Sequence, residues 1–385
     1  MLIILKNIFS MNTKVLIKII LPLTILGILA TSYFSQIYTQ NSASISPQTN
    51  SKINSSNSSQ ITSQNSNNLQ TSQNKNLKLM FAGDIFFARR LDEWAKKSEL
   101  KENYIVSKLD TLKRENYDAW IGNLECPVTT KQSSLQEQST LLKFSCSPTY
   151  LPALRKYFDV LSLSNNHTDN MNGKEGLLET EQFLQKENFQ YFGTFDNTDK
   201  AKLCKIVDIK QVKIAMCGFH GVFNLPTKDQ IAVVSQYSKY FPTIVMPHQG
   251  VEYKFTSNKY QQAIYRDFID NGADLVVGAH PHVVQESEVY KGKLIMYSLG
   301  NFIFDQASKD TNEHIVLDVD MQMQDYVAID CKENCLELKP KKPKIIWKYG
   351  IKATKSSVGV TELAPELQQK MLERTKIPKN GLTLQ

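Results

Sequence analysis

Four of the chain's six histidines stand just after apolar runs, in the company of carboxylates and amides. "LKLMFAG" leads to Asp84, "YDAWIG" to Asn123 and Glu125, and "FDVLSLS" to Asn165, Asn166 and His167. "PTIVMP" leads to His248, with Glu252 beyond Gly250, and "ADLVVGA" leads to His280 and His282 on either side of Pro281. Imidazole, carboxylate and amide oxygen form a mixed nitrogen and oxygen donor set suited to Mn, Fe or Zn. Two such ions clamp a phosphoryl group and lower the pKa of a bound water. These residue types therefore point to a centre of one or two divalent metals and to hydrolytic chemistry.

Singly, each residue has a plainer use. Asp84 after a glycine can cap a helix, the Asn pair can form a turn, and Glu125 or His248 can be an ordinary loop residue. Repetition at five apolar runs changes the reading, because open α/β sheets bind ligands beyond the carboxyl ends of their strands. His280 and His282, at i and i+2, project to one side if their segment is extended. Pro281 stops that segment from continuing as paired strand. His220, after "VKIAMCGF", is placed to join the group, whereas His314 opens a strand-like run with no such neighbours.

The elements that must position these residues alternate. Residues 77–83, 117–125 and 158–167 read as strands, 86–100 and 148–157 as helices, and 174–189 as an amphipathic helix with Leu177, Leu178, Phe183 and Leu184 on its apolar face. Strand-like runs follow at 203–209, 212–219 and 242–250, then a helix over 257–272 that stops on Gly272. Further runs at 273–281, 283–290, 293–305 and 314–322 complete an α/β sandwich with parallel and antiparallel strands. The domain is expected over 77–335. Residues 336–385 add a strand and a helix as an extension packed on it.

The net charge of +7 is mostly a property of the leader. Residues 1–76 hold five lysines and no acid, leaving 40 basic against 38 acidic residues in the body, which gives no nucleic-acid signal. Residues 14–34 carry an apolar run close to the roughly 20 residues that a bilayer core requires. Lysines precede it and a polar stretch follows, so the body is expected outside the cytoplasm. Residues 1–34 read as a membrane anchor, with a cleaved signal sequence as the rival and Ala30 and Ser32 at the cut. Residues 35–76, rich in Ser, Asn and Gln, read as a disordered linker. Six cysteines lie beyond it and permit three disulfides, with Cys331 and Cys335 able to close a local loop and Cys204 and Cys217 flanking a hairpin.

The ordered series "FAGDIFFAR", "NLE", "LSNNHTD", "PHQGVEYKF", "GADLVVGAHPHVVQ" and "YSLGNFIFDQ", over about residues 78–306, closely resembles the CapA family of capsule biosynthesis proteins. That family is linked to poly-γ-glutamate synthesis and export. The resemblance implies a four-layer αββα sandwich similar to calcineurin-like metallophosphoesterases. It implies Asp84, Glu125, Asn166, His248, His280 and His282 as metal ligands, with His167 facing the leaving group. Arg89 and Glu252 are placed with His167 as catalytic candidates, and Asn301 and Asp305 match further motif positions. The sequence departs from the phosphoesterase pattern at Phe86, where those enzymes carry a histidine, and at Glu125, where they carry aspartate.

Three functions follow. The first is a membrane-tethered, outward-facing component of anionic polymer assembly that meets a poly-γ-glutamate-like chain. The second is an extracytoplasmic metal-dependent phosphoesterase. The third is a non-catalytic scaffold for a membrane polymer synthase.

Overall fold

The computed structural model of the protein describes residues 72–385 apart from Glu333. The expected anchor and almost all of the expected linker lie outside these residues. Among the described residues no helix is long and apolar enough to cross a membrane. The first strand begins at Gln73, inside the range read as linker.

Two sheets carry the fold. The first contains β1 (Gln73–Ile85), β2 (Ala119–Leu124), β3 (Val160–Ser162) and β4 (Gln190–Phe192). The second is built from β5 (Cys204–Ile209), β6 (Val212–His220), β7 (Thr243–His248), β8 (Leu275–Val277), β9 (Ser287–Tyr290) and β10 (Lys293–Met296). The chain then returns to the first sheet with β11 (Asn301–Ile303), β12 (Glu313–Tyr326), β13 (Lys344–Ser357), β14 (Val360–Leu363) and β15 (Leu382–Leu384). The nine-stranded sheet runs β14-β13-β12-β1-β2-β3-β4, with β11 on β1 and β15 on β13, and the six-stranded one runs β5-β6-β7-β8-β10-β9. Residues 336–385 are thus more than a covering extension, because β13 pairs with β12 over a twelve-residue register inside the larger sheet.

Side-chain alternation along β1 explains the layering. Leu79 and Phe81 turn towards the second sheet and pack with Ile214, Met216, Ile244 and Leu275. Met80 and Ala82 turn the other way, into a core with Leu91, Leu154 and Leu177 from the helical segments. Leu91 belongs to α1 (Arg89–Lys97) and Leu177 to α2 (Lys174–Lys186). The outer face of the second sheet presents Cys217, Val245 and Val276 to Tyr265, Phe268 and Ile269 of α3 (Lys259–Asp270). Helices therefore cover both outer faces of a two-sheet sandwich. The Asn258 side chain accepts from Gln261 N at 2.9 Å and starts α3.

The run 293–305 reads as one strand but is two, one in each sheet. The crossing needs glycine twice: Gly300 has φ +78°, and a Cβ on Gly83 would meet the Gly300 carbonyl oxygen at 1.8 Å. Asp84 N donates to that oxygen at 3.2 Å, so the crossing fixes the end of β1. All six cysteines form disulfides: Cys126–Cys146, Cys204–Cys217 and Cys331–Cys335. Cys204 and Cys217 face each other across the β5–β6 hairpin.

Candidate metal centre

β1, β2 and β3 run parallel in one sheet, and β6, β7 and β8 in the other. Their carboxyl ends meet at one edge of the sandwich, and there the strand-end residues converge. Asp84 is fully buried at the end of β1 and caps no helix, since α1 starts at Arg89 after Ala88. Its Oδ1 accepts from Asn123 Nδ2 at 2.8 Å and lies 3.8 Å from His248 Nδ1. Its Oδ2 lies 3.3 Å from His282 Nδ1.

Glu125, the residue after β2, is also fully buried. Its Oε1 lies 3.5 Å from His248 Nε2, 3.9 Å from His282 Nε2 and 4.0 Å from His167 Nε2, yet neither carboxylate oxygen has a hydrogen-bond partner. Burial, then the charges of Asp84 and Glu252, push its pKa well above the usual carboxylate range. His280 Nδ1 is likewise buried and unpartnered. Burial holds His280 down at about 3 and His167 at about 4, and holds His248 well below the ordinary imidazole value.

Three overlapping groups each bring one donor atom per residue within 4.8 Å of the others: Glu125 with His248 and His280, Asp84 with Glu125 and His282, and Glu252 with His280 and His282. Glu252 is exposed at the rim, while the other members are buried. Asn166 Oδ1 lies 2.9 Å from His248 Nε2. Buried donors that no protein group satisfies, in a mixed nitrogen and oxygen set, suit a divalent cation.

Hydrogen bonds around the centre fix how the rings face it. The Asn301 amide donates Nδ2 to Gln306 Oε1 at 3.0 Å and to the Thr311 carbonyl at 3.2 Å, so its Oδ1 must face His282 Nδ1 at 2.9 Å. His282 Nδ1 therefore carries the proton, and Nε2 offers its lone pair to the centre. Asn170 Oδ1 accepts from Phe144 N at 3.1 Å and lies 2.9 Å from His167 Nδ1, which leaves the His167 Nε2 lone pair towards Glu125.

The convergence of His280 and His282 has a different origin from the expected extended segment. Their φ angles are +97° and +60°, both left-handed, on either side of Pro281. Such conformations cost about 1–3 kcal/mol per residue and gather at ligand sites. The rings end 6.0 Å apart.

Arg89 stands one layer out. Its guanidinium lies 4.7 Å from the Phe86 ring and 4.6 Å from the Phe144 ring, and Nη2 pairs with Asp305 Oδ1 at 2.5 Å. Phe86, in place of a metal-binding histidine, is a wall of that aromatic box. Asn123 and Asn165 are site residues that the strand-end pattern marked without giving them a role, as the motif resemblance did for Asn301. Asn165 Nδ2 donates to Asn123 Oδ1 at 3.1 Å, and its own Oδ1 accepts from His167 N at 3.1 Å. The doubled Asn in "SNNH" was the available signal. His220, in register with His248, donates Nδ1–H to the Phe195 carbonyl at 2.8 Å and leaves Nε2 buried without a partner.

Comparison with known proteins converges on one family. The capsule biosynthesis protein CapA of Bacillus anthracis is 28% identical over 276 residues, 66% of this chain and 66% of that protein. The PGA biosynthesis protein CapA of Bacillus subtilis (strain 168) is 30% identical over 254 residues, 62% of this chain and 66% of that protein. The chain thus spans just under two thirds of the length of each. Among solved structures, one described as a novel phosphatase from Mycoplasma pneumoniae matches 77% of this chain and 98% of its own, at 15% identity and a TM-score of 0.41. The family described as bacterial capsule synthesis protein PGA_cap matches residues 78–306, which hold every residue of the centre, and the chain belongs to that family.

Proposed function

We propose that the chain works outside the cytoplasm in the synthesis or export of an anionic capsule polymer of the poly-γ-glutamate type, through a centre that holds one or two divalent ions. The observation that carries this reading is Glu125, a buried carboxylate set among three imidazoles with no hydrogen bond of its own. Asp84, Glu125, Asn166, His248, His280 and His282 would hold the ions, with Glu252 at the rim. Bound there, a divalent cation supplies Lewis-acid polarisation and an acidified water. The protein's own part is to turn His282 Nε2 towards the donor set by holding Nδ1 against Asn301, and to aim His167 Nε2 at the same space, where it can take or return a proton. Arg89 lowers the cost of a charged Glu125 from outside the donor set. The two-sheet layering with donors at the strand ends is read as the calcineurin-like metallophosphoesterase type.

Three disulfides support an oxidising compartment, and the lysine-flanked apolar leader supports a tether to the membrane. A membrane polymer synthase is the partner this placement implies. A phosphoesterase reading is favoured by one observation, the Asn166–His167 pair beside Glu125. Metal analysis of the purified chain, deletion of its gene with polymer measured in the producing cell, and a panel of generic phosphoesters decide between them. The reading expects stoichiometric Mn, Fe or Zn and loss of surface polymer on deletion. A metal-free protein whose deletion leaves polymer unchanged removes it, and broad phosphoester turnover without a polymer defect selects the second reading.

A further inference from the structure

Beside the His282 flank of the centre opens a cleft of about 370 Å³, lined by Arg90, Tyr253, Val283, Gln306, Ser308 and Thr311. It adjoins the centre through two of its lining residues. The Tyr253 ring lies 6.0 Å from the His282 ring, and Val283 is the next residue in the chain. Gln306 joins the two: its Nε2 donates to Tyr253 Oη at 3.2 Å, and its Oε1 accepts from Asn301, the amide that orients His282.

The two neighbouring arginines divide their work. Arg89 is largely enclosed in the aromatic box with Asp305, its side chain 14% exposed. Arg90 is half exposed; its Nη2 donates to the Asp305 carbonyl at 2.9 Å and its Nε stays 3.7 Å from the Asp305 carboxylate. A guanidinium has five N–H donors, so most of this fork is left over at the cleft wall. Around it stand neutral groups: the Tyr253 hydroxyl, the Gln306 amide, and the Ser308 and Thr311 hydroxyls, which bond each other at 2.9 Å, with Val283 as an apolar wall and one acid, Asp310, at the exposed lip.

We infer that this cleft is a carboxylate-binding subsite, in which Arg90 takes the free carboxylate of one γ-glutamyl unit while the adjoining part of the chain lies at the centre. One cation with unused N–H donors, neutral polar surroundings and a short apolar wall match an acid on a short aliphatic arm. The inference rests on the proposed polymer reading and names the contact that would recognise the polymer.

The test uses the full-length chain and calorimetry with a γ-linked glutamate trimer as probe, its carboxamide analogue as control, and metal content measured on each preparation. Wild type should bind the acid trimer and not the amide. Arg90→Gln should weaken binding about tenfold or more, the effect of losing one charge-assisted hydrogen bond, with metal content unchanged. Arg90→Lys, which keeps charge without the fork, should fall between the two. Asp310→Asn should tighten binding two- to threefold. Equal affinity in wild type and Arg90→Gln, or no binding of the trimer by wild type, overturns the subsite. A wild type without metal sinks the reading of the centre instead, and Arg90-dependent binding still decides the cleft.

Discussion

Two carboxylates at opposite ends of neighbouring parallel strands are treated in opposite ways. Asp159 immediately precedes β3, and both of its oxygens are used. Oδ2 accepts from Arg114 Nη2 at 2.7 Å and Trp120 N at 3.0 Å, and Oδ1 accepts from Arg155 Nη1 at 3.0 Å. Glu125 immediately follows β2, is more deeply buried, and has none. The amino-end carboxylate closes a structural network. The carboxyl-end one is left open by a fold that satisfies comparable groups elsewhere, and a buried carboxyl group without a hydrogen-bond partner is costly to keep whether charged or held neutral by its raised pKa. The difference locates function: the fold accepts that cost at the edge where a cation can repay it.

The largest expected effect breaks the comparison at Glu125. Glu125→Gln keeps the shape and removes the charge, so metal content should fall at least tenfold. The metal-free variant should also unfold at the same temperature as metal-free wild type or a higher one, because the buried carboxyl group it replaces makes no hydrogen bond and lies against the Asp84 charge. Asp159→Asn should do the reverse. It should keep its metal and lose about 2 kcal/mol in denaturant unfolding, since two guanidinium groups lose their shared anion. If Glu125→Gln instead destabilises the metal-free protein, the carboxylate has a structural role and the contrast fails.

A smaller effect sharpens the comparison within the centre. Asn301 touches no proposed ion, yet its Oδ1 holds the His282 tautomer. Asn301→Leu should lower metal affinity about 10- to 100-fold, the usual scale for loss of a group that orients a ligand. Titration with metal, followed by calorimetry, measures it. Unchanged affinity would mean that Asp84 Oδ2, 3.3 Å from the same nitrogen, orients the ring alone.

Most of the centre was legible because burial of a parallel sheet demands continuous apolar runs, and those runs announce their own ends. Asp84, Glu125, Asn166, His248, His280 and His282 all stood at such ends and all meet in space. What was not legible depends on geometry that no period encodes. The run 293–305 carries apolar stretches on both sides of its crossing, at 294–297 and 302–304, so the change of sheet is marked only by the short interruption at 298–301 around Gly300. The left-handed backbone of His280 and His282 is uncommon for any residue but glycine, and no hydrophobic period announces it. Arg89 read as a site residue from its motif, while its aromatic box draws Phe86, Phe144 and Phe304 from three distant segments.

His314 is the last case, and it sets a buried histidine outside the centre against those within it. Its position at the start of a strand-like run set it apart from the strand-end group. It is fully buried between β12 and β13, where its Nδ1 lies 2.6 Å from Thr354 Oγ1, its partner in the register. Burial alone holds its pKa down at about 3. An unfolded histidine titrates near 6.5. The native state thus keeps this ring neutral while the unfolded state takes up a proton below pH 6.5, so its stabilising contribution is complete above that value and drains away as pH falls towards 3. At pH 5 the loss is about 2 kcal/mol, from roughly 1.5 units at about 1.4 kcal/mol each. His314→Asn keeps a hydrogen-bonding group near the Nδ1 position and cannot titrate. It should be less stable than wild type at pH 8, through lost packing volume, but should lose about 2 kcal/mol less on going to pH 5. Urea unfolding of both proteins at the two pH values isolates this difference, because the histidines of the centre are common to both. Equal acid losses would mean that His314 is charged or solvated in the native state, and that its burial between the two strands is wrong.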